Sequence, residues 1–326
     1  MSAVGSNLDG FHPSPWLPGR HLQTIVPALL HAPPTGIEEE ARLVQVAPSS
    51  QVQILIARPG GKPRGTVLLI HGLVGSAESG YMRRTAAMAC QRGWVAVRMN
   101  LRGCGGTEAL ARTLYNAGQS DDVGRVLEDL EAASLPRPFG LVGFSLGGNL
   151  ALRYAALEGP GCRADRVVGA NPPIELEACV RSLEEARNFI YHAYFADRMC
   201  RHLQVIRKVR HVPGANPVPW AIRSVRRFDT LYTAPDGGYA SAEDYYGATS
   251  AAPHLRSLRV PTLVLSALND PFVPAGIFHP HQGTAGGRLQ LVQPASGGHL
   301  GYWQHGEPHF WAGKAVLSFL GNGAGK

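Results

Sequence analysis

The residues best arranged for chemistry lie in Gly143-Phe144-Ser145-Leu146-Gly147, a G-x-S-x-G between an apolar run and a helical pattern. That context suits a nucleophilic serine on a sharp strand-to-helix turn, where a side chain at 143 or 147 would collide with neighbouring backbone. The Leu146 amide, at the positive end of the helix, would then point toward a developing oxyanion. A serine hydroxyl is nearly inert at neutral pH without a base, and the base needs an acid to orient it. Asp270 in Ala267-Leu268-Asn269-Asp270-Pro271 and His299 in Ser296-Gly297-Gly298-His299-Leu300 each follow an apolar run. Gly297-Gly298 gives the His299 loop room to approach, which favours it over His279, His281 and His305. A second oxyanion donor is expected from His71-Gly72-Leu73-Val74-Gly75. Gly72 permits close approach there, Leu73 supplies the amide, and His71 pins the loop through hydrogen bonds.

Positioning these groups requires loops that follow successive strands. Residues 43–47 and 51–57 alternate apolar and polar around Pro48-Ser49-Ser50, a hairpin pattern. Strands are expected at 66–70, 94–99, 139–142, 166–170, 262–266 and 288–292. Helices are expected near 79–92, 120–133, 146–157 and 308–320. A hairpin followed by repeated βα units predicts an α/β fold: a mostly parallel sheet with an antiparallel N-terminal edge, covered on both faces. Residues 174–252 interrupt the alternation at a length too great for a loop. They read as an inserted helical cap, with the core in residues 43–173 and 253–326.

Residues 1–42 form an expected arm with six prolines, irregular and packed through Trp16, Leu17, Leu22 and Ile25. Within the cap, residues 228–246 are rich in tyrosine. Tyr239 and Tyr246, together with Tyr302 beyond the His299 loop, are candidates to line an acyl chain. The stretch Arg198–Arg227 holds eight Lys/Arg and no Asp or Glu. It reads as a solvated face, or alternatively as a contact for anionic membrane surfaces.

Composition narrows the possible functions. The chain of 326 residues is 44% hydrophobic and 17% charged, enough for a large core and too apolar for disorder. A formal charge of +7 would permit nucleic-acid binding, but only four of the 31 basic residues are Lys and no nucleic-acid-binding motif is present. The five cysteines, odd in number and without C-x-x-C, argue against a disulfide framework or a zinc ribbon. Cys104 is read as core filler. His279/His281 and His305/His309 are the only close histidine pairs, and H-E-x-x-H is absent, so no metal site is expected. Arg102-Gly103-Cys104-Gly105-Gly106-Thr107 lacks dinucleotide-binding spacing and reads as a tight turn near the site. With no signal-peptide pattern and no apolar run near the ~18 residues of a membrane span, a soluble cytoplasmic protein is expected.

Several segments together resemble the YheT-like (EMB8-like) branch of the α/β-hydrolase superfamily. They include PWLPGRHLQT at 15–24, HGLVGSAES at 71–79, NLRGCGGT at 100–107, LYNAGQSDD at 114–122 and GFSLGGN at 143–149. Asn171-Pro172-Pro173, residues 228–246, ALNDPFVP at 267–274 and GGHLGYW at 297–303 extend the likeness over nearly the whole chain. The resemblance implies an α/β-hydrolase fold and a serine hydrolase with Ser145, Asp270 and His299 as its triad. It implies carboxylic esters as substrates, short- to medium-chain or lipid-like, with no metal or organic cofactor. Animal relatives look like membrane-anchored lipid hydrolases; an N-terminal anchor of their kind is not expected here. An acyltransferase or a C–C bond-cleaving enzyme on the same fold, and a non-catalytic binder of lipids or small esters, are the competing readings.

Overall fold

The structure, a computed structural model, describes residues 10–30, 38–214 and 222–321. Eight strands form one sheet in the order β1-β2-β4-β3-β5-β6-β7-β8. The hairpin β1 (Glu39–Ala47) and β2 (Ser50–Ala57) makes one edge, and β2 runs antiparallel to β1 and to β4 (Trp94–Met99). All remaining pairs are parallel: β3 (Gly65–Ile70), β5 (Phe139–Phe144), β6 (Arg166–Ala170), β7 (Thr262–Leu265) and β8 (Leu289–Val292). Every residue of β3, β4 and β5 is buried, because helices cover both faces of the sheet.

One face carries α2 (Gly80–Gln91) against α10 (Trp311–Gly321), and the other carries α3 (Ser120–Ala132) against α4 (Leu146–Glu158). The chain leaves β3 toward β4 on one side, then crosses back to β5 on the other. That reversal opens a crevice beyond the carboxyl ends of β3 and β5, where ligands of open α/β sheets bind. The loops carrying Leu73 and Ser145 border this crevice.

Between β6 and β7 the chain builds the helical insertion: α5 (Leu176–Glu184), α6 (Phe189–Ile206), α7 (Val225–Phe228), α8 (Ala234–Gly237) and α9 (Ala242–Thr249). A single π-helical turn, Asp229–Thr233, joins α7 to α8. Buried Asn149 of α4 ties this insertion to the core, donating to the Thr249 carbonyl and accepting from Ala251 N–H, both at 2.9 Å. In the basic stretch, Arg201 pairs with Asp197 and Arg210 with Asp236, while Arg226 gathers Glu177, Glu184 and Glu243. Three of its eight basic residues are therefore paired within the insertion; its residues 215–221 lie outside the described residues. Among the described residues no helix is long and apolar enough to cross a membrane.

The N-terminal arm departs from expectation. Gly19–Leu29 is a helix, α1, rather than an irregular segment, and Trp16 and Leu22 are 83% and 42% exposed. Its inward anchors are Gln23 and Pro27, with Ile25 packed on the core. For Leu22 the reason is polar: the surface that α1 covers is backbone of the His299 loop, which demands the hydrogen bonds of Gln23 and Thr24. Pro33 and Pro34 lie outside the described residues.

Two glycines off the site separate conformational from steric demands. Gly247 sits exposed in α9 with nothing within 4 Å of an added Cβ, whereas a Cβ on Gly65 would lie 2.7 Å from the Pro138 carbonyl oxygen. Gly247→Ala is expected to stabilise by about 0.5–1 kcal/mol, and Gly65→Ala to destabilise by about 1–3 kcal/mol. Denaturant melts check both; equal shifts for the two variants would contradict this packing.

Candidate active site

Ser145 ends β5 and opens α4 with φ 52° and ψ −120°, a left-handed conformation that L residues avoid. The turn survives because its neighbours lack side chains. A Cβ on Gly143 would overlap the Gly147 backbone, and one on Gly147 would overlap the Ile70 and His71 carbonyls. The strained residue is also well bonded: its N–H donates to Ala170 O at 2.8 Å, and its carbonyl accepts Gly148 N–H at 2.8 Å. The hydroxyl is thereby held up at the crevice.

Ser145 Oγ lies 2.9 Å from His299 Nε2, and His299 Nδ1 lies 2.7 Å from Asp270 Oδ2. Since a carboxylate only accepts, Nδ1 carries the proton and the Nε2 lone pair faces the serine. Asp270 Oδ1 accepts the N–H groups of Phe272 and Val273, both at 3.0 Å, which fixes the carboxylate plane. Three residues far apart in sequence thus form one hydrogen-bonded chain. The Phe272 ring packs against the imidazole with centroids 4.1 Å apart.

Sequence reasoning gave no role to the residues that hold this chain in place. Asn171, at φ 47° just past β6, donates from Nδ2 to Asp270 Oδ2 at 2.6 Å and to Gly298 O at 3.2 Å. Its signals were an Asn before Pro-Pro at the carboxyl end of a buried strand and its place in a segment that carries the family likeness. From α1, Thr24 Oγ1 accepts His299 N–H at 2.9 Å, while Gln23 bonds Trp303 through both N–H and C=O, at 2.8 and 2.9 Å. A Cβ on Gly298 would fall 2.6 Å from the Arg20 carbonyl, so the glycine lets the loop lie flat on α1.

The loop after β3 approaches from the other side, where a Cβ on Gly72 would lie 2.9 Å from Ser145 Cβ. His71 is fully buried: Nδ1–H donates to Gly72 O at 2.8 Å, and Nε2 accepts Leu101 N–H at 3.1 Å. Gly72 N–H donates to Tyr81 and Val74 N–H to Tyr115. Among the described residues, the amides of Leu73 and Leu146 have no protein acceptor. Arg102, in the glycine turn after β4, forks onto Asp122 at 2.6 and 2.7 Å. Burial pushes the Cys104 thiol well up, which keeps it inert.

Two cavities meet at Ser145. The first holds about 110 Å³ and runs under the helical insertion; Leu146, Leu176, Val180 and Met199 give it apolar walls. The second, about 390 Å³, lies between α1 and α6 and is lined by His299, Ile25, Leu29 and Tyr194. Leu73, Phe195 and Phe272 border both. Tyr246 lines the first cavity, but Tyr239 and Tyr302 line neither. Tyr239 packs at a tilt against Tyr245 behind the wall, and Tyr302 is wholly buried against Phe11 and Trp311. Those two tyrosines are structural aromatics, which correct the expectation of substrate contact.

Comparison with known proteins agrees with this architecture. A family model described as the alpha/beta hydrolase fold matches residues 65–306. YheT of Escherichia coli (strain K12) is 34% identical over 245 residues, which span 74% of this chain and 71% of that protein. The human phospholipase ABHD3 is 25% identical over 306 residues, covering 90% of this chain and 74% of its own. A monoacylglycerol lipase of Saccharomyces cerevisiae is 26% identical over 269 residues, 78% of this chain and 58% of that one. Among solved structures, the esterase Pf2001 of Pyrococcus furiosus superposes with a TM-score of 0.60 over 88% of this chain and 94% of its own, at 16% identity. Strand order, elbow geometry and sequence likeness converge, and the chain belongs to the YheT-like branch of the α/β-hydrolase family.

Proposed function

We propose that this protein hydrolyses carboxylic esters through an acyl-enzyme formed on Ser145. The observation that carries the reading is the unbroken chain from Ser145 Oγ through His299 to Asp270, at 2.9 and 2.7 Å. Ser145 attacks the ester carbonyl while His299 Nε2 takes its proton; the tetrahedral oxyanion accepts hydrogen bonds from the Leu73 and Leu146 amides. The imidazolium returns that proton to the leaving alcohol, and Asp270 stabilises the charged ring. Water then repeats the sequence on the acyl-enzyme. Relatives named as a phospholipase and a monoacylglycerol lipase support an ester substrate.

The two cavities divide the substrate. His299 must protonate the alcohol as it leaves, and His299 lines only the wider cavity. The alcohol side belongs there and the acyl side in the smaller one. At about 110 Å³ against about 390 Å³, the acyl side is the smaller of the two and favours a short chain.

Ser145→Ala is expected to lower kcat/KM for ethyl butanoate by at least about 10³-fold while leaving the thermal melt intact. A folded variant that keeps most of its activity would sink the assignment. His71 gives a second prediction, because it positions the Leu73 amide. Burial lowers its pKa from 6.5 to about 4, so between those values the unfolded chain binds a proton that the folded chain refuses. Its contribution is full above pH 6.5 and is lost as pH falls toward 4, on the order of 3 kcal/mol in total. His71→Gln keeps one donor and one acceptor and should show a flatter stability-against-pH curve over that range. Parallel curves for the two proteins would contradict it.

A further inference from the structure

The smaller cavity is not wholly apolar. Asp229, on the π-helical turn, is 95% buried and lines it together with Ser145. Tyr246 donates to Asp229 Oδ2 at 2.7 Å, and Thr233 lines the same cavity. A carboxylate has room for about four donors, so it retains capacity that the protein does not fill. Tyr115 and Tyr245 complete the pattern. Each phenolic oxygen accepts a backbone N–H, from Val74 at 3.0 Å and Ala117 at 2.9 Å, which leaves each O–H proton without an acceptor among the described residues. The Tyr245 ring lies 5.3 Å from that of Tyr246, whose hydroxyl holds Asp229, so the Tyr245 phenol and the carboxylate belong to one cluster. Tyr115 and Tyr245 also line the cavity.

We propose that this cavity is a subsite for short acyl groups that carry a hydroxyl. That hydroxyl donates to the Asp229 carboxylate and accepts from the Tyr115 or Tyr245 phenol. A chain that offers both a donor and an acceptor satisfies groups that a plain hydrocarbon would bury unpaired, at a cost. Burial raises the Asp229 pKa from 3.8 to about 6, so the carboxylate is charged at neutral pH and accepts strongly. The π-helical turn is consistent with this, since such turns recur at functional positions. The proposal rests on acylation of Ser145 from this side.

The test compares ethyl 3-hydroxybutanoate with ethyl butanoate. Wild type is expected to favour the hydroxy ester in kcat/KM by about tenfold. Asp229→Asn, which preserves shape and removes the charged acceptor, should cut that preference at least about threefold, as should Tyr245→Phe. No preference in wild type, or an unchanged preference in both folded variants, overturns the subsite. A binding arm keeps this separate from the catalytic reading. In Ser145→Ala, methyl 3-hydroxybutanoate should raise the melting temperature more than methyl butanoate, whether or not the wild type turns over esters. Equal shifts overturn the subsite, even if Ser145 proves to be the nucleophile.

Discussion

The site depends on one backbone conformation, Ser145 at φ 52° and ψ −120°. A non-glycine residue there costs about 1–3 kcal/mol and persists only where its surroundings over-determine it. Here they do. Gly143 and Gly147 permit the turn sterically, and the Ala170 carbonyl and Gly148 N–H hold it by hydrogen bonds. Because the serine must stand clear of the sheet, the loop after β3 has to come within contact of its Cβ. Only glycine at 72 allows that. The strain thus dictates which residues stand beside it.

Around that turn the stabilising contacts are polar, although the core beneath them is hydrocarbon. His71 satisfies two backbone groups, Asn171 bridges Asp270 to the Gly298 carbonyl, and Thr24 and Gln23 of α1 take up the backbone of the His299 loop. In a dry environment each such bond is strong and each missing partner is costly. Such a network fixes the imidazole against both serine and aspartate, which hydrophobic packing alone would leave free to rotate. It also makes α1, remote in sequence, a wall of the wider cavity and a support of the His299 loop. The helical insertion closes the other side and is anchored by Asn149, one turn from the serine. Chemistry and specificity therefore share one rigid junction.

The parts legible in the sequence were those set by periodicity and by fixed spacing. Continuous apolar runs marked β3 to β7, and G-x-S-x-G with its flanking strand and helix marked the elbow. Asp270 and His299 followed from where loops must fall after strands, and the three side chains do meet. The polar partners were hidden. Gln23, Thr24 and Asn171 are ordinary polar residues locally, and their meaning arises only when distant backbone arrives beside them. Aromatic content misled for the same reason: Tyr239, Tyr246 and Tyr302 look alike in sequence, yet only Tyr246 reaches the cavity. Leu22 was expected to pack because it is large and apolar, but the surface facing α1 offers backbone N–H and C=O groups, which Gln23 and Thr24 meet instead. Asp229 carried no signal, since one carboxylate in a cap reads as solvated until its burial is known.

The most direct measurement is intact-mass analysis after exposure to a fluorophosphonate, which reacts with an activated serine irrespective of the natural ester. Wild type should gain a single adduct and Ser145→Ala none. A folded wild type that gains no adduct, or an adduct that persists on Ser145→Ala, would contradict activation of Ser145 by His299.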